Sequence, residues 1–128
     1  MAFSNQQIQD VWDHANKEDG YDPSRFRKDA CGAWILRDKY GDTDSLYGWV
    51  IDHIVPQALL EGKGICAEEI DDSMNLRAMQ HENNASKSDD YPSYTAVVTS
   101  NGSENIYLTE FLEVNHKKQK RLKEKYNL

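Results

Sequence analysis

The stretch that decides the fold runs from Gly48 to Pro56 and reads GWVIDHIVP. Its β-branched and aromatic residues favour a strand. Two ionisable residues, Asp52 and His53, interrupt the apolar run side by side. A carboxylate inside an apolar strand costs free energy unless a cation or a hydrogen-bond network compensates it. Because successive side chains of a strand point to opposite faces, Asp52 and His53 can serve two different partners.

Two short segments further along the chain complete this pattern. The segment from Asn75 to Met79 predicts a second strand, and the polar segment from Gln80 to Ser88 is compatible with a helix. One face of that helix would carry four residues at three- and four-residue steps, namely His81, Asn84, Ala85 and Ser88. If the strands pair and the helix packs across them, Asp52, Asn75 and Asn84 converge.

The flanking segments predict further elements of both kinds. Ser4 followed by Gln7 has the pattern of a capping box and predicts a helix that ends near Lys17. The stretch 32–36 reads as a short strand, and 67–70 as a helical turn. Asn101 and Gly102 suit a hairpin turn, and 108–126 reads as an amphipathic helix. With 128 residues, we expect one α+β domain, 1–128.

The charge is distributed unevenly along the chain. The formal net charge is −7, which argues against a polyanionic partner. Six basic residues between Lys117 and Lys125, set against Glu124, give that segment a charge of +5 and leave −12 for the rest. The basic segment is either a solvated helix face that balances an acidic body or an arm that contacts phosphates.

Cysteine usage and hydropathy restrict the class of protein further. Cys31 and Cys66 have no second Cys or His at zinc-finger spacing, so we expect free thiols and no structural zinc. The segment from Met1 to Asp10 lacks the basic start and apolar stretch of a signal peptide, and no window has the length of a membrane span. We expect a cytoplasmic protein without a membrane partner.

The polar residues of the central segments suit phosphodiester hydrolysis. That reaction needs an activated water, stabilisation of charge on the phosphate and assistance to the leaving oxygen. Imidazole suits the first task because its ordinary pKa, about 6.5, leaves it able to take a proton near neutral pH. A divalent cation suits the other two. A carboxylate and an amide oxygen are ligands appropriate for Mg²⁺ or Mn²⁺.

Three stretches carry a resemblance to a known family. The residues DHIVP at 52–56, NL at 75–76 and NASKSD at 84–89 resemble the His-Asn-His endonucleases, and most closely the nuclease module of CRISPR effector proteins. The match spans 48–89, roughly a third of the chain. It implies a ββα-metal core, also called a His-Me finger, flanked by an N-terminal helix and by a C-terminal hairpin and helix.

The resemblance also implies a role for each matching residue. His53 would be the general base, and Asp52 and Asn84 would hold the metal ion, Mg²⁺ or Mn²⁺. Asn75 would fix the loop that carries His53 through side-chain hydrogen bonds to the backbone; the alternative for Asn75 is an ordinary turn residue. The nine-residue step from Asn75 to Asn84 and the position of Lys87 match the CRISPR-type pattern.

Other positions keep two interpretations each. His81 would lie one helical turn before Asn84 and could reach the metal or the leaving oxygen, or serve as a surface or supporting residue. Lys87 is either a phosphate or scaffold contact or a solvated helix residue. Three arginines could grip a nucleic-acid backbone or be ordinary surface residues, and these are Arg25, Arg27 and Arg37. The segment 61–72 reads as an insertion relative to the CRISPR module, and the cysteine pairs that bind zinc in some relatives are missing from the sequence.

These observations predict a hydrolase, specifically a metal-dependent endonuclease that cleaves nucleic acid, with DNA favoured over RNA. If the family mechanism holds, the products carry 5′-phosphate and 3′-hydroxyl ends. The alternative is a catalytically inactive module on the same fold that binds nucleic acid or a protein partner, and the acidic body of the chain supports that alternative.

Overall fold

The structure is a computed structural model that describes residues 3–128, so the first two residues of the predicted 1–128 domain lie outside it. The helices are α1 Asn5–Asp13, α2 Gln57–Gly62, α3 Ala67–Ile70, α4 His81–Lys87 and α5 His116–Tyr126. The strands are β1 Phe26–Lys28, β2 Trp34–Leu36, β3 Trp49–His53, β4 Leu76–Gln80, β5 Ser93–Asn101 and β6 Glu104–Glu113. Short 3₁₀ turns cover Arg37–Lys39 and Ser73–Asn75. The α+β class is confirmed.

The strands form three antiparallel pairs, β1 with β2, β3 with β4, and β5 with β6. In the β3–β4 pair, Asp52 lies opposite Arg77 and His53 lies opposite Leu76. Helix α4 begins directly after β4 and contacts both strands. The two central strands therefore pair with each other, and a helix contacts both.

Two clusters of buried apolar side chains lie on either side of the central strand pair. In one cluster, Trp49 and Ile51 of β3 pack against α1, and the ring centroids of Trp12 and Trp49 are 5.4 Å apart. In the other, Ile54 and Val55, just after β3, pack with Leu122 and other residues. The end of β3, which carries Asp52 and His53, is thereby held between two cores.

A buried carboxylate fixes helix α4 against the rest of the fold. Asp29 accepts hydrogen bonds from the backbone N–H groups of Cys31, Ala33 and Gln80, each at 2.9 Å, and from Nδ2 of Asn83 at 3.1 Å. Oδ1 of Asn83 in turn accepts from the backbone N–H of Val98 at 2.8 Å in β5. No local sequence pattern points to Asp29, because two of its four donors, Gln80 and Asn83, come from distant segments.

The N-terminal helix is shorter than the sequence predicted. The capping box of Ser4 and Gln7 is present, but α1 ends at Asp13 rather than near Lys17. Asn16 instead exchanges backbone hydrogen bonds with Lys28, at 3.1 and 2.8 Å. Pairing with a distant strand therefore competes successfully with the last turn of the helix.

The prediction of a single helix over 108–126 is wrong in its first part. The chain continues as β6 up to Glu113, because Leu112 pairs with the buried Tyr94 and Phe111 pairs with Thr95. Helix α5 begins only at His116, after Asn115, whose side chain accepts a hydrogen bond from the backbone N–H of Lys118. The predicted hairpin is confirmed, but its two turn residues are Gly102 and Ser103, because Asn101 still pairs with Glu104.

Two short helices, α2 and α3, lie between β3 and β4. The segment Gln57–Gly62 forms α2, so the sequence-based expectation of a loop from Glu61 to Gly64 is wrong for its first two residues, while the predicted helical turn at 67–70 is confirmed as α3. Among residues 3–128, every helix is too short or too polar to cross a membrane.

Candidate functional site

His53 is half-buried at the end of β3 and is paired with a carboxylate. Its Nε2 lies 2.7 Å from Oδ1 of Asp71, which follows α3. An ionised carboxylate can only accept a hydrogen bond, so Nε2 is the donor in this pair, and in a neutral imidazole Nδ1 is then the proton acceptor. The Phe3 ring lies beside the imidazole, with centroids 5.8 Å apart. These contacts orient the His53 ring.

The Asn75 side chain forms hydrogen bonds to both backbone segments that carry His53 and Asp71. Its fully buried side chain accepts a hydrogen bond from the backbone N–H of Val55 at 2.8 Å and donates to the carbonyls of Val55 and Ile70, both at 3.1 Å. Val55 lies two residues after His53, and Ile70 directly precedes Asp71. Asn75 therefore makes side-chain hydrogen bonds to the backbone on both sides of the His53–Asp71 pair.

Asp52 is only 4% exposed and contacts two cationic side chains. Its Oδ2 accepts from Nε of Arg77 at 3.0 Å, and its Oδ1 lies 3.4 Å from Nζ of Lys87. Lys87 also donates to the backbone carbonyl of His53 at 3.2 Å. Burial lowers the pKa of Lys87, and the negative charge of Asp52 opposes that shift. These contacts offset the free-energy cost of burying the Asp52 carboxylate within an apolar strand.

Arg77 is the counterpart of Asp52 on the neighbouring strand. Burial acts most strongly, to lower the pKa of its guanidinium, but the charge and hydrogen bond of Asp52 together with Tyr94 and Cys31 outweigh it, and the pKa lies above its usual value. The guanidinium carbon lies 5.2 Å from the centroid of the Tyr94 ring. Its Nη2 is buried and has no hydrogen-bond partner within residues 3–128.

Asp52, His53 and Asn84 line a single open pocket of about 360 Å³ between the end of β3 and helix α4. Asp89, just after α4, lines the same pocket. The Asn84 side chain is half-buried and makes no hydrogen bond to any described residue. Its amide oxygen is therefore free to bind a ligand.

The pocket offers donors that suit a hard divalent cation, but it also holds opposing charge. Carboxylate oxygens of Asp52 and Asp89 and the amide oxygen of Asn84 are the ligand types that Mg²⁺ and Mn²⁺ prefer. Over the described part of the chain, no three His, Cys, Asp or Glu side chains form a metal-binding group. A cation here would depend on Asp52 and Asn84, with water as further ligands, and Lys87 would repel it.

The remaining predicted site residues lie outside this pocket. Nε2 of His81 lies 2.8 Å from the carbonyl oxygen of Ser45, and the side chain does not line the pocket. Lys87 is a scaffold contact rather than a solvated residue. Arg27 is buried and donates to the carbonyls of Pro23, Asp13 and Ala15. Arg25 and Arg37 line a separate pocket.

Sequence reasoning missed two residues at the site. Asp71 lies in the segment that reads as an insertion, and the only signal for it was the pair of acidic residues shortly before Asn75. Arg77 lies within the predicted second strand, and its proximity to Asp52 depends on the register of the strand pair. The chain matches none of the protein families, curated proteins or solved structures with which it was compared.

Proposed function

We propose that this chain is a metal-dependent endonuclease of the His-Asn-His type, built on a ββα-metal core made of β3, β4 and α4. The observation that carries the proposal is the shared pocket of Asp52, His53 and Asn84, in which the imidazole has a carboxylate partner on Nε2. The family resemblance of 48–89 supports the same assignment. The substrate is a phosphodiester of nucleic acid, with DNA favoured over RNA.

In the proposed reaction, His53 takes a proton from the attacking water at Nδ1 while Asp71 holds the proton on Nε2. The water oxygen forms a bond to phosphorus, and the bond from phosphorus to the 3′ oxygen breaks. The products are a 5′-phosphate and a 3′-hydroxyl, which takes its proton from solvent. A divalent cation held by Asp52 and Asn84 would supply positive charge to the phosphate and the leaving oxygen.

Supercoiled plasmid provides the test, with magnesium, with manganese and with chelator. We expect metal-dependent nicking by the intact chain that is lost in His53→Ala. The matched control is His81→Ala, because His81 lies on α4 but does not line the pocket; this variant should nick at the parental rate. Absence of nicking by the intact chain with every metal, or equal loss in both variants, contradicts the proposal.

One observation favours the alternative, an inactive module that binds nucleic acid or a protein partner. Both oxygens of Asp52 already contact cations, Arg77 and Lys87, so the carboxylate has its charge compensated without a metal ion. For this alternative, the intact chain binds its partner without nicking DNA. The plasmid assay therefore separates the two functions.

A further inference from the structure

A second cleft of about 470 Å³ lies beside the candidate catalytic pair, between α1, the Ser73–Asn75 turn and α5. We refer to it as the α1–α5 groove. Asp71, whose carboxylate lies 2.7 Å from Nε2 of His53, forms part of its wall. A strand that reaches His53 and continues past Asp71 would therefore enter this groove.

The cations of the groove lack carboxylate partners. Lys118 and Arg121, one turn apart on α5, both line it, and neither forms an ion pair with a described residue. Lys118 is half-buried; burial lowers the pKa of its ammonium, and the positive charges of Arg77 and Arg121 lower it further. Neighbouring positive charges repel each other, and a bound anion relieves that repulsion. Lys118 and Arg121 therefore favour an anionic ligand.

The acids of the groove, in contrast, already have partners. Asp71 is engaged by His53. Asp72 lies 3.4 Å from Nζ of Lys125 and accepts from the backbone N–H of Met74 at 2.9 Å. Asp10 accepts from Nε2 of Gln6 at 2.8 Å. Of the charged side chains that line the groove, only Lys118 and Arg121 have no hydrogen-bond or ion-pair partner among residues 3–128, so these two cations are free to contact an anion.

We propose that Lys118 and Arg121 bind a backbone phosphate of nucleic acid in the α1–α5 groove, next to the phosphate attacked by the water that His53 activates. A guanidinium forms paired hydrogen bonds to phosphate oxygens, and an ammonium adds a point charge. This assignment rests on the proposed function for the role of His53, but binding itself needs no hydrolysis. Phosphate binding by Lys118 and Arg121 would also explain how the chain binds a polyanion although its formal net charge outside the basic segment is −12.

The test is fluorescence anisotropy of a labelled DNA duplex of about 20 base pairs in chelator, at salt concentrations from about 50 to about 200 mM. The groove variant is Lys118→Gln with Arg121→Gln. The matched control is Lys117→Gln with Lys120→Gln, which removes the same charge from the same helix outside the groove. A third variant, Lys118→Arg with Arg121→Lys, keeps the charge and serves as a rescue.

We expect the groove variant to weaken binding ~10-fold or more and to reduce the slope of log K against log salt by about 0.9, the value for one phosphate contact. The control pair should change binding by less than about threefold, and the rescue variant should bind like the parent. Equal effects in the groove and control variants overturn the inference, as does undetectable binding by the parent. If only the groove variant binds DNA more weakly and the intact chain does not nick plasmid, phosphate binding in the groove is supported and the endonuclease proposal is contradicted.

Discussion

Nζ of Lys87 lies 3.4 Å from Oδ1 of Asp52, on the carboxylate that the endonuclease proposal assigns to a metal ion. The lysine is fully buried and comes from α4, whereas Asp52 comes from β3. An ammonium and a divalent cation compete for the same carboxylate because their charges repel each other at short range. If the pocket binds a metal ion, the positive charge of Lys87 would weaken that binding.

The first prediction concerns this competition. Lys87→Met should bind Mn²⁺ at least ~10-fold more tightly than the parent, since a positive charge next to Asp52 is removed. Isothermal titration calorimetry with MnCl₂ measures the change. Lys120→Met, on the exposed face of α5, is the control and should bind Mn²⁺ as the parent does. Unchanged or weaker binding by Lys87→Met would show that Lys87 does not oppose the metal.

The second prediction concerns the residue that orients the candidate base. Asp71→Asn should lower the nicking rate about 10- to 100-fold, because an amide no longer fixes the proton on Nε2 of His53. The neighbouring Asp72→Asn is the control: it contacts Lys125 instead and should retain the parental rate. Plasmid nicking time courses give both rates. Equal rates for the two variants would argue that Asp71 has no part in the reaction.

The third prediction concerns stability. Asn75→Ala should lower the free energy of unfolding by about 3 to 5 kcal/mol, because the backbone groups of Val55 and Ile70 lose their buried partners. Asn84→Ala, which removes an amide without hydrogen bonds, should change it by less than about 0.5 kcal/mol. Urea unfolding followed by tryptophan fluorescence measures both. Similar losses in both variants would contradict the structural role of Asn75.

The fourth prediction concerns the two cysteines. Burial raises the pKa of the Cys31 thiol to about 12, and the thiol is the unreactive form, whereas Cys66 is exposed. At about pH 8 a disulfide reagent such as Ellman's should modify one thiol per native chain and two in denaturant. Cys66→Ser should abolish the native reaction. Rapid modification of two thiols in the folded chain would be inconsistent with the buried position of Cys31.

The fifth prediction concerns alkaline pH. Burial raises the pKa of Tyr94 and of Tyr126 to about 12 in the folded chain. Since the folded state holds these protons more tightly than an unfolded tyrosine with a pKa of about 10, their contribution is complete below about pH 10 and is lost between about pH 10 and 12. Urea unfolding over this range should show falling stability. The fall should be shallower in Tyr126→Phe; an identical slope would contradict the shift at Tyr126.

Much of the fold was readable from local patterns. The apolar run around Asp52, the capping box at Ser4 and the hairpin around Gly102 each specify a local conformation, and all three are present, the hairpin turn one residue later than predicted. The extent of α1 and the segment around Phe111 were not readable. Both depend on pairing with distant residues, Lys28 in one case and Thr95 in the other, and helical periodicity carries no information about such pairs.

The sequence by itself determined that an acid, an imidazole and an amide occur at a spacing that resembles that of the His-Asn-His endonucleases, together with a basic segment at 117–125. Only the tertiary structure decided that Asp71 contacts His53, that Arg77 and Lys87 neutralise Asp52, and that Lys118 borders the same region. The physical reason is that electrostatic contacts act through space. Their strength depends on distance and burial, which are fixed only when strands, loops and helices pack together.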